Sequence, residues 1–214
     1  EGTTTLADYL EREVEKRRGG DGDDLISGLA RAEEEGDTLT TRDIVLLIRL
    51  LLIAGNSTTT DMIGSGVVKL LQNPDQLGKL KGDPALIDKA LDEVLRVEPP
   101  VAQCLRTAPE DMEVNNQCIA KGETIHLSLF GAHYDPALND NPQAFDIGRE
   151  EITHFAFGGG AHYCLGAQLG LAQGRIALPM LFDRFPNLAF SDAHELKHKI
   201  APAFNGYGEI WLTK

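Results

Sequence analysis

The stretch HFAFGGGAHYCLGAQLG, residues 154–170, places Cys164 behind three consecutive glycines and ahead of an apolar, alanine-rich run. A cysteine ligates a metal as its thiolate, and glycines let a backbone approach a flat or bulky partner closely. A position just before a helix adds the macrodipole and free amide groups, which favour negative charge and hold the sulfur as thiolate. The other use of such a residue is a buried structural cysteine beside a glycine-rich turn. Glu93 and Arg96, three apart in EVLR, share a helix face. Taken alone, such a pair is a solvated ion pair of about 0.2–0.5 kcal/mol. His194, Glu195 and His198 fit H-E-x-x-H, in which two histidines on one helical face hold zinc and the glutamate acts as base of a hydrolase. Against that, Ser191, Asp192 and Lys197 suggest a wet surface, Pro202 cuts the helix short and no third histidine follows, so a solvated charged turn is favoured.

The elements that must position these residues are mostly helical. Leu6, Leu10 and Val14 recur at helical spacing; Leu25, Ile26, Leu29 and Ala30 make a second apolar face ending near Gly36. Residues 41–71 read as one long helix, apolar nearly all round over 44–53, which predicts a path through the middle of a protein. Asp83 and Pro84 supply a cap and first-turn proline for a helix through Leu95, stopped by Pro99 and Pro100. Residues 101–125 predict a small sheet, with β-type runs at 112–114 and 124–125 separated by Asn115-Asn116 and Lys121-Gly122. The last strong helix spans 165–184, and the tail carries a strand near 209–212.

Composition bounds the function. The 214 residues are 42% hydrophobic and 25% charged, ordinary for a globular chain able to bury a core. The longest apolar run, 44–54, is short and broken by Arg49, so no membrane span is expected. A net charge of -13 opposes binding to nucleic acid or an anionic membrane. Cys104, Cys118 and Cys164 are an odd number without C-x-x-C spacing, which suits a reducing cytoplasm rather than a disulfide framework or zinc knuckle. The sequence shows no signal peptide and begins with Glu1 rather than Met, so the expectation is an incomplete chain.

Phe157, Gly158, Gly160, His162, Cys164 and Gly166, at their fixed spacing, resemble the heme-binding signature of cytochrome P450, whose cysteine is the axial ligand of heme iron. In the family's order, AGNSTT at 54–59 resembles the oxygen-binding segment of the long central helix, and Glu93 and Arg96 match the E-x-x-R pair. The resemblance implies a mainly α fold with small β-sheets, lacking the family's amino-terminal half, in a single partial domain. That domain is helical over 1–98, with a small sheet region at 101–125, the heme-cysteine loop and its helix at 153–184, and an irregular tail at 185–214.

The resemblance also implies heme b, iron protoporphyrin IX, with Ala54, Gly55, Leu165 and Gly166 among its contacts. Cys164 ligates iron, and thiolate ligation favours oxygen activation over simple electron carriage. Thr58 relays protons to dioxygen; Arg106 and His162 hold propionates; Phe157 packs beside the ligand; Glu93 and Arg96 form a buried lock; Ala54 and Val101 neighbour the substrate. Gly55 and a threonine hydroxyl on one helix can together open a local bulge. The implied activity is insertion of one oxygen atom from dioxygen into a small, largely apolar organic molecule. Electrons come from a separate ferredoxin or flavodoxin-type donor, with a truncated heme-binding or catalytically silent module as the alternative.

Several positions depart from the family pattern. Ser57 stands for the usual acid before the relay threonine, and a serine passes a hydrogen bond without holding charge. Gln143-Ala144 stand where an arginine usually completes a triad with Glu93 and Arg96, leaving Arg149 or His154 as substitutes. Tyr134 and Gly170 replace an arginine and a helix alanine.

Overall fold

The structure, a computed structural model, describes residues 2–34, 39–201 and 203–214. Gly36, where the second helix was expected to end, and Pro202 lie outside the described residues. The chain divides into two compact units, Glu1–Ser57 and Thr58–Lys214.

In the first unit, α1 (Gly2–Glu15) and α2 (Leu25–Glu34) pack with the amino-terminal part of α3 (Thr41–Gln72). Leu10 and Val14 of α1, Ala30 of α2 and Ile44, Val45 and Ile48 of α3 form its core. Leu25, expected on the apolar face, is exposed instead, because it is the first residue of α2 and the buried stripe begins at Ile26. The start of α3 is set by a capping box: the Thr40 amide donates to Asp43 Oδ2 at 3.0 Å and the Asp43 amide to Thr40 Oγ1 at 3.3 Å.

Helix α3 is regular α-helix from Thr41 to Gln72, so no bulge opens at Gly55 or the threonines that follow. It is also less buried than its apolar sequence predicts. Leu46, Leu50, Leu52 and Ile53 are exposed, as are Ala54 and Gly55. Among the described residues it is the one helix long and apolar enough to cross a membrane by length and composition. Its two ends, however, each enter a protein core, through Ile44, Val45 and Ile48 and through Met62, Val67 and Leu70.

The second unit holds the rest of α3, α4 (Pro74–Gly82), a 3-10 turn at Pro84–Leu86, α5 (Ile87–Val97), α6 (Leu129–His133) and α7 (Ala167–Arg184). Helix α4 carried no apolar signal strong enough to predict it; Pro74 at its first position starts it. Asp83 caps the 3-10 turn through the Ala85 amide at 3.1 Å. Three two-stranded antiparallel sheets complete the unit. β1 (Gln103–Thr107) pairs with β4 (Thr124–Ser128), placing Arg106 opposite Ile125. β2 (Met112–Val114) and β3 (Gln117–Ile119) form a hairpin whose turn residues Asn115 and Asn116 both take positive φ. β5 (Ala189–Phe190) pairs with β6 (Leu212–Thr213). The mainly α fold with small sheets is the one the sequence implied.

Met62, Leu70, Leu91, Leu95, Ile147, Leu178 and Phe182 form the second core, joining α3, α5 and α7. Gly174 lets α7 lie close against α5: a Cβ there would sit 2.7 Å from Leu91 Cδ2 and 3.0 Å from Met62 Cε. The loop that carries Cys164 thus leads straight into a helix anchored on the helix that carries Glu93 and Arg96.

Candidate functional site

The cysteine loop is shaped by its backbone. Gly158 and Gly160 take φ of 71° and 62°, a left-handed conformation that side chains disfavour. Two backbone bonds fold the loop back on itself: the Gly158 amide donates to the Phe155 carbonyl and the Cys164 amide to the Phe157 carbonyl, both at 2.8 Å. The Tyr163 amide closes the 3-10 turn at Gly160–His162 by donating to Gly160 at 3.1 Å. Phe157 anchors the loop in the core and stands edge-on to His154, ring centres 6.0 Å apart.

Cys164 is exposed, which sets aside the buried structural cysteine. It stands just before α7, two residues ahead of the N-cap Gly166, which offers no side-chain cap. Beside it Leu165 is 80% exposed, Leu169 67% and Tyr163 54%. Apolar side chains left this open around a thiol mark a surface made for a partner that covers them. In the first turn of α7, a Cβ on Gly170 would lie 3.8 Å from Thr59 Oγ1, so Thr59 of α3 approaches the helix that follows the cysteine.

The Glu93–Arg96 pair is fully buried, unlike the solvated pair its spacing alone describes. Arg96 donates from Nε to Glu93 Oε2 at 2.7 Å and from Nη2 to Oε1 at 2.8 Å. Its remaining protons reach the carbonyls of Pro142 and Ala144, each at 2.8 Å, and of His133 at 3.4 Å. Glu93 Oε1 also accepts from the Asp146 amide at 2.9 Å and from Arg149 Nε at 3.0 Å. Arg149 is therefore the third member of the triad, and it donates further to the carbonyls of Asp140, Asn141 and Ala144. His154, the other substitute, pairs with Asp92 instead, at 3.4 Å. Tyr134 lies under the Arg96 guanidinium, 5.7 Å from it, and its hydroxyl donates to the Val97 carbonyl. Burial raises the Tyr134 pKa, so the phenol stays protonated.

The other expected residues are spread along the chain. Arg106 is exposed on β1, its guanidinium bonded to the Leu105 carbonyl, and His162 is exposed in the 3-10 turn. Val101 forms an isolated antiparallel bridge with Phe204. Thr58 lies on α3 in the second unit, while Ala54 and Gly55 fall in the first.

The zinc reading does not survive. Residues 194–198 form no helix, so His194 and His198 share no face. His194 stacks on Trp211 with ring centres 4.2 Å apart, and His198 packs on Tyr207 and contacts Asn205. Glu195 pairs with Lys197 at the surface, and no group of three metal-ligating side chains occurs among the described residues.

Sequence reasoning missed His133 and Asn139, both buried among backbone groups. Their partners are carbonyls and amides, so no residue type or spacing could have marked them.

Comparison with known proteins fits this geometry. The cytochrome P450 family model matches residues 84–199. Cytochrome P450 107B1 of Saccharopolyspora erythraea is 40% identical over 187 residues, covering 87% of this chain and 46% of that protein. The cytochrome P450 monooxygenase PikC of Streptomyces venezuelae is 39% identical over 186 residues, covering 86% and 45%. Among solved structures, P450BioI in complex with an acyl carrier protein bearing hexadec-9Z-enoic acid superposes with a TM-score of 0.92 at 36% identity, over 98% of this chain and 53% of that one. The chain belongs to the cytochrome P450 family, and it spans about half the length of the relatives it matches.

Heme b is the cofactor of that family, and the residues present fit it. The exposed Cys164 thiol, a loop bare of side chains at its glycines, and open apolar side chains at Tyr163, Leu165 and Leu169 suit a flat apolar macrocycle that would be held through one cysteine sulfur.

Proposed function

We propose that the protein is a cytoplasmic heme-thiolate monooxygenase, or the part of one that carries the iron ligand, acting on a small, largely apolar organic substrate. The observation that carries this reading is the exposed Cys164, held by the Cys164 amide to Phe157 carbonyl bond just before α7. Heme, when bound, supplies dioxygen activation, with electrons from a separate ferredoxin or flavodoxin-type donor.

The chain's own residues take defined parts. Cys164 Sγ would hold the iron. Phe157 would pack beside the ligand sulfur, and the exposed Leu165 would meet the bound heme. Gly158, Gly160 and Gly166 keep the approach clear, while Arg106 and His162 meet the propionates with cationic or donor groups. Thr58 Oγ1 holds and passes a proton, with Ser57 beside it in place of a carboxylate. Val101 would border the space for substrate. Glu93, Arg96 and Arg149 hold the chain segments leading to the loop.

The test is the absorption spectrum of the heme-loaded chain, reduced and exposed to carbon monoxide. A strongly red-shifted Soret band that is lost in Cys164→Ala is expected. An unshifted band, or one indifferent to that substitution, would overturn the reading. Failure to take up heme favours the second reading, a catalytically silent module, which the uncovered side chains at the loop support.

A further inference from the structure

Residues 153–155 enter the cysteine loop, and two buried side chains from the preceding segment hold them from one side. Asn139, 4% exposed, acts as a substitute strand: its Oδ1 accepts from the Thr153 amide at 3.0 Å and its Nδ2 donates to the Thr153 carbonyl at 3.0 Å. The same Nδ2 reaches the His133 carbonyl at 3.2 Å. His133, fully buried at the end of α6, contacts the next inward-facing amide: the Phe155 amide donates to its Nε2 at 2.7 Å. Its Nδ1 meets the Arg96 carbonyl of α5 at 2.9 Å.

The partners fix the ring's state. A carbonyl only accepts and an amide N–H only donates, so the ring is neutral with its proton on Nδ1. Burial, with Arg96 and His154 nearby, lowers the His133 pKa from 6.5 to about 4, which keeps the Nε2 lone pair available. His154 and Phe155 pack against the ring, each with centres 6.1 Å away.

We propose that His133 and Asn139 are positioning residues that clamp residues 153–155 to α5 and so set where the Cys164 thiol is presented. The path is short and continuous. Phe155, fixed by His133, accepts the Gly158 amide, and Phe157 accepts the Cys164 amide. The loop's own bonds fix its shape, and the clamp fixes its place on the buried Glu93–Arg96 helix.

The test compares His133→Phe, His133→Asn and His133→Gln in the full chain. Phe keeps a ring but loses both bonds. Asn reaches the Nδ1 position only, whereas Gln places an acceptor at the Nε2 position facing Phe155. Amide hydrogen exchange is read in the heme-free chain, with α5 and α7 as internal references. Exchange over residues 153–157 is expected to accelerate about tenfold in Phe and Asn and to remain near wild type in Gln, with α5 and α7 unchanged. Equal exchange in all four proteins would overturn the clamp, as would equal acceleration in Gln and Phe. Asn139→Leu should accelerate the same segment with His133 intact, and an unchanged rate there would also count against the clamp.

A second arm rests on the heme-thiolate reading. In the heme-loaded chain, Phe should convert part of the red-shifted carbon monoxide band to an unshifted one, and Gln should restore it. A band fully retained in Phe would refute thiol positioning even where exchange is faster. A wild-type chain without the red-shifted band defeats the heme-thiolate reading alone, and exchange still decides the clamp.

Discussion

The polar cluster on α5 and the cysteine loop lie in the same unit and are built in opposite ways. Glu93 and Arg96 are sealed, and the carbonyls and amides around them come from this chain. The loop is open, its thiol exposed and its apolar neighbours uncovered. Charges out of water cost several kcal/mol each unless fully paired, so the first region is stable only when complete. The second gains nothing from being complete by itself, because its unsatisfied surface is what a bound macrocycle would cover. One chain thus holds a finished frame and an unfinished seat.

The strongest way to break this contrast is Arg96→Leu, which leaves the Glu93 carboxylate buried among groups arranged for its partner. A loss of about 3–5 kcal/mol is expected in urea unfolding of the heme-free chain. A shift under about 1 kcal/mol would show that the cluster is not the sealed frame described.

Acid should find the same frame. The folded pKa of His133 lies below its unfolded value, so between pH 6.5 and about 4 the unfolded chain binds the proton that the folded one refuses. This contribution is fully present above pH 6.5 and declines as pH falls toward about 4. It amounts to at most about 3 kcal/mol. His133→Phe should flatten the pH dependence of stability over that window, and an unaltered slope would contradict the assignment.

Arg149→Ala should cost about 1–3 kcal/mol, since it strips one Glu93 oxygen and three carbonyls of a donor at the rim of the cluster. Cys164→Ser should change the stability of the heme-free chain by less than about 0.5 kcal/mol and abolish the red-shifted band of the heme-loaded one. That pairing of outcomes sharpens the contrast most, and a large stability loss would mean that the loop is not open. Lys197→Ala, breaking a pair in which both side chains are mostly exposed, should move the unfolding midpoint hardly at all.

The parts legible in the sequence were those whose chemistry needs a particular residue. Gly158 and Gly160 are demanded by positive φ, and Cys164 by its sulfur, so type and spacing reported them faithfully. The E-x-x-R spacing located the pair but not its burial, because solvated and buried pairs share the same helical geometry. The choice between Arg149 and His154 needed the path of residues 140–149, which brings Arg149 to Glu93 and leaves His154 beside Asp92. The H-E-x-x-H match failed because its periodicity presumes a helix that residues 194–198 do not form; Trp211 and Tyr207 take the two rings instead. Helix α3 read as buried from its apolar sequence, yet its middle is exposed, since composition records what a surface can contact and not what covers it.

The open seat has a colloidal consequence. Leu165, Leu169 and Tyr163 make the heme-free chain adhesive at the place where heme belongs, while a net charge of -13 holds copies apart. Salt weakens the repulsion and leaves the adhesion, since the Debye length falls from about 10 Å at 0.1 M to about 3 Å at 1 M. The unloaded chain is therefore most soluble in dilute buffer, and loading it changes its tolerance of salt as well as its colour.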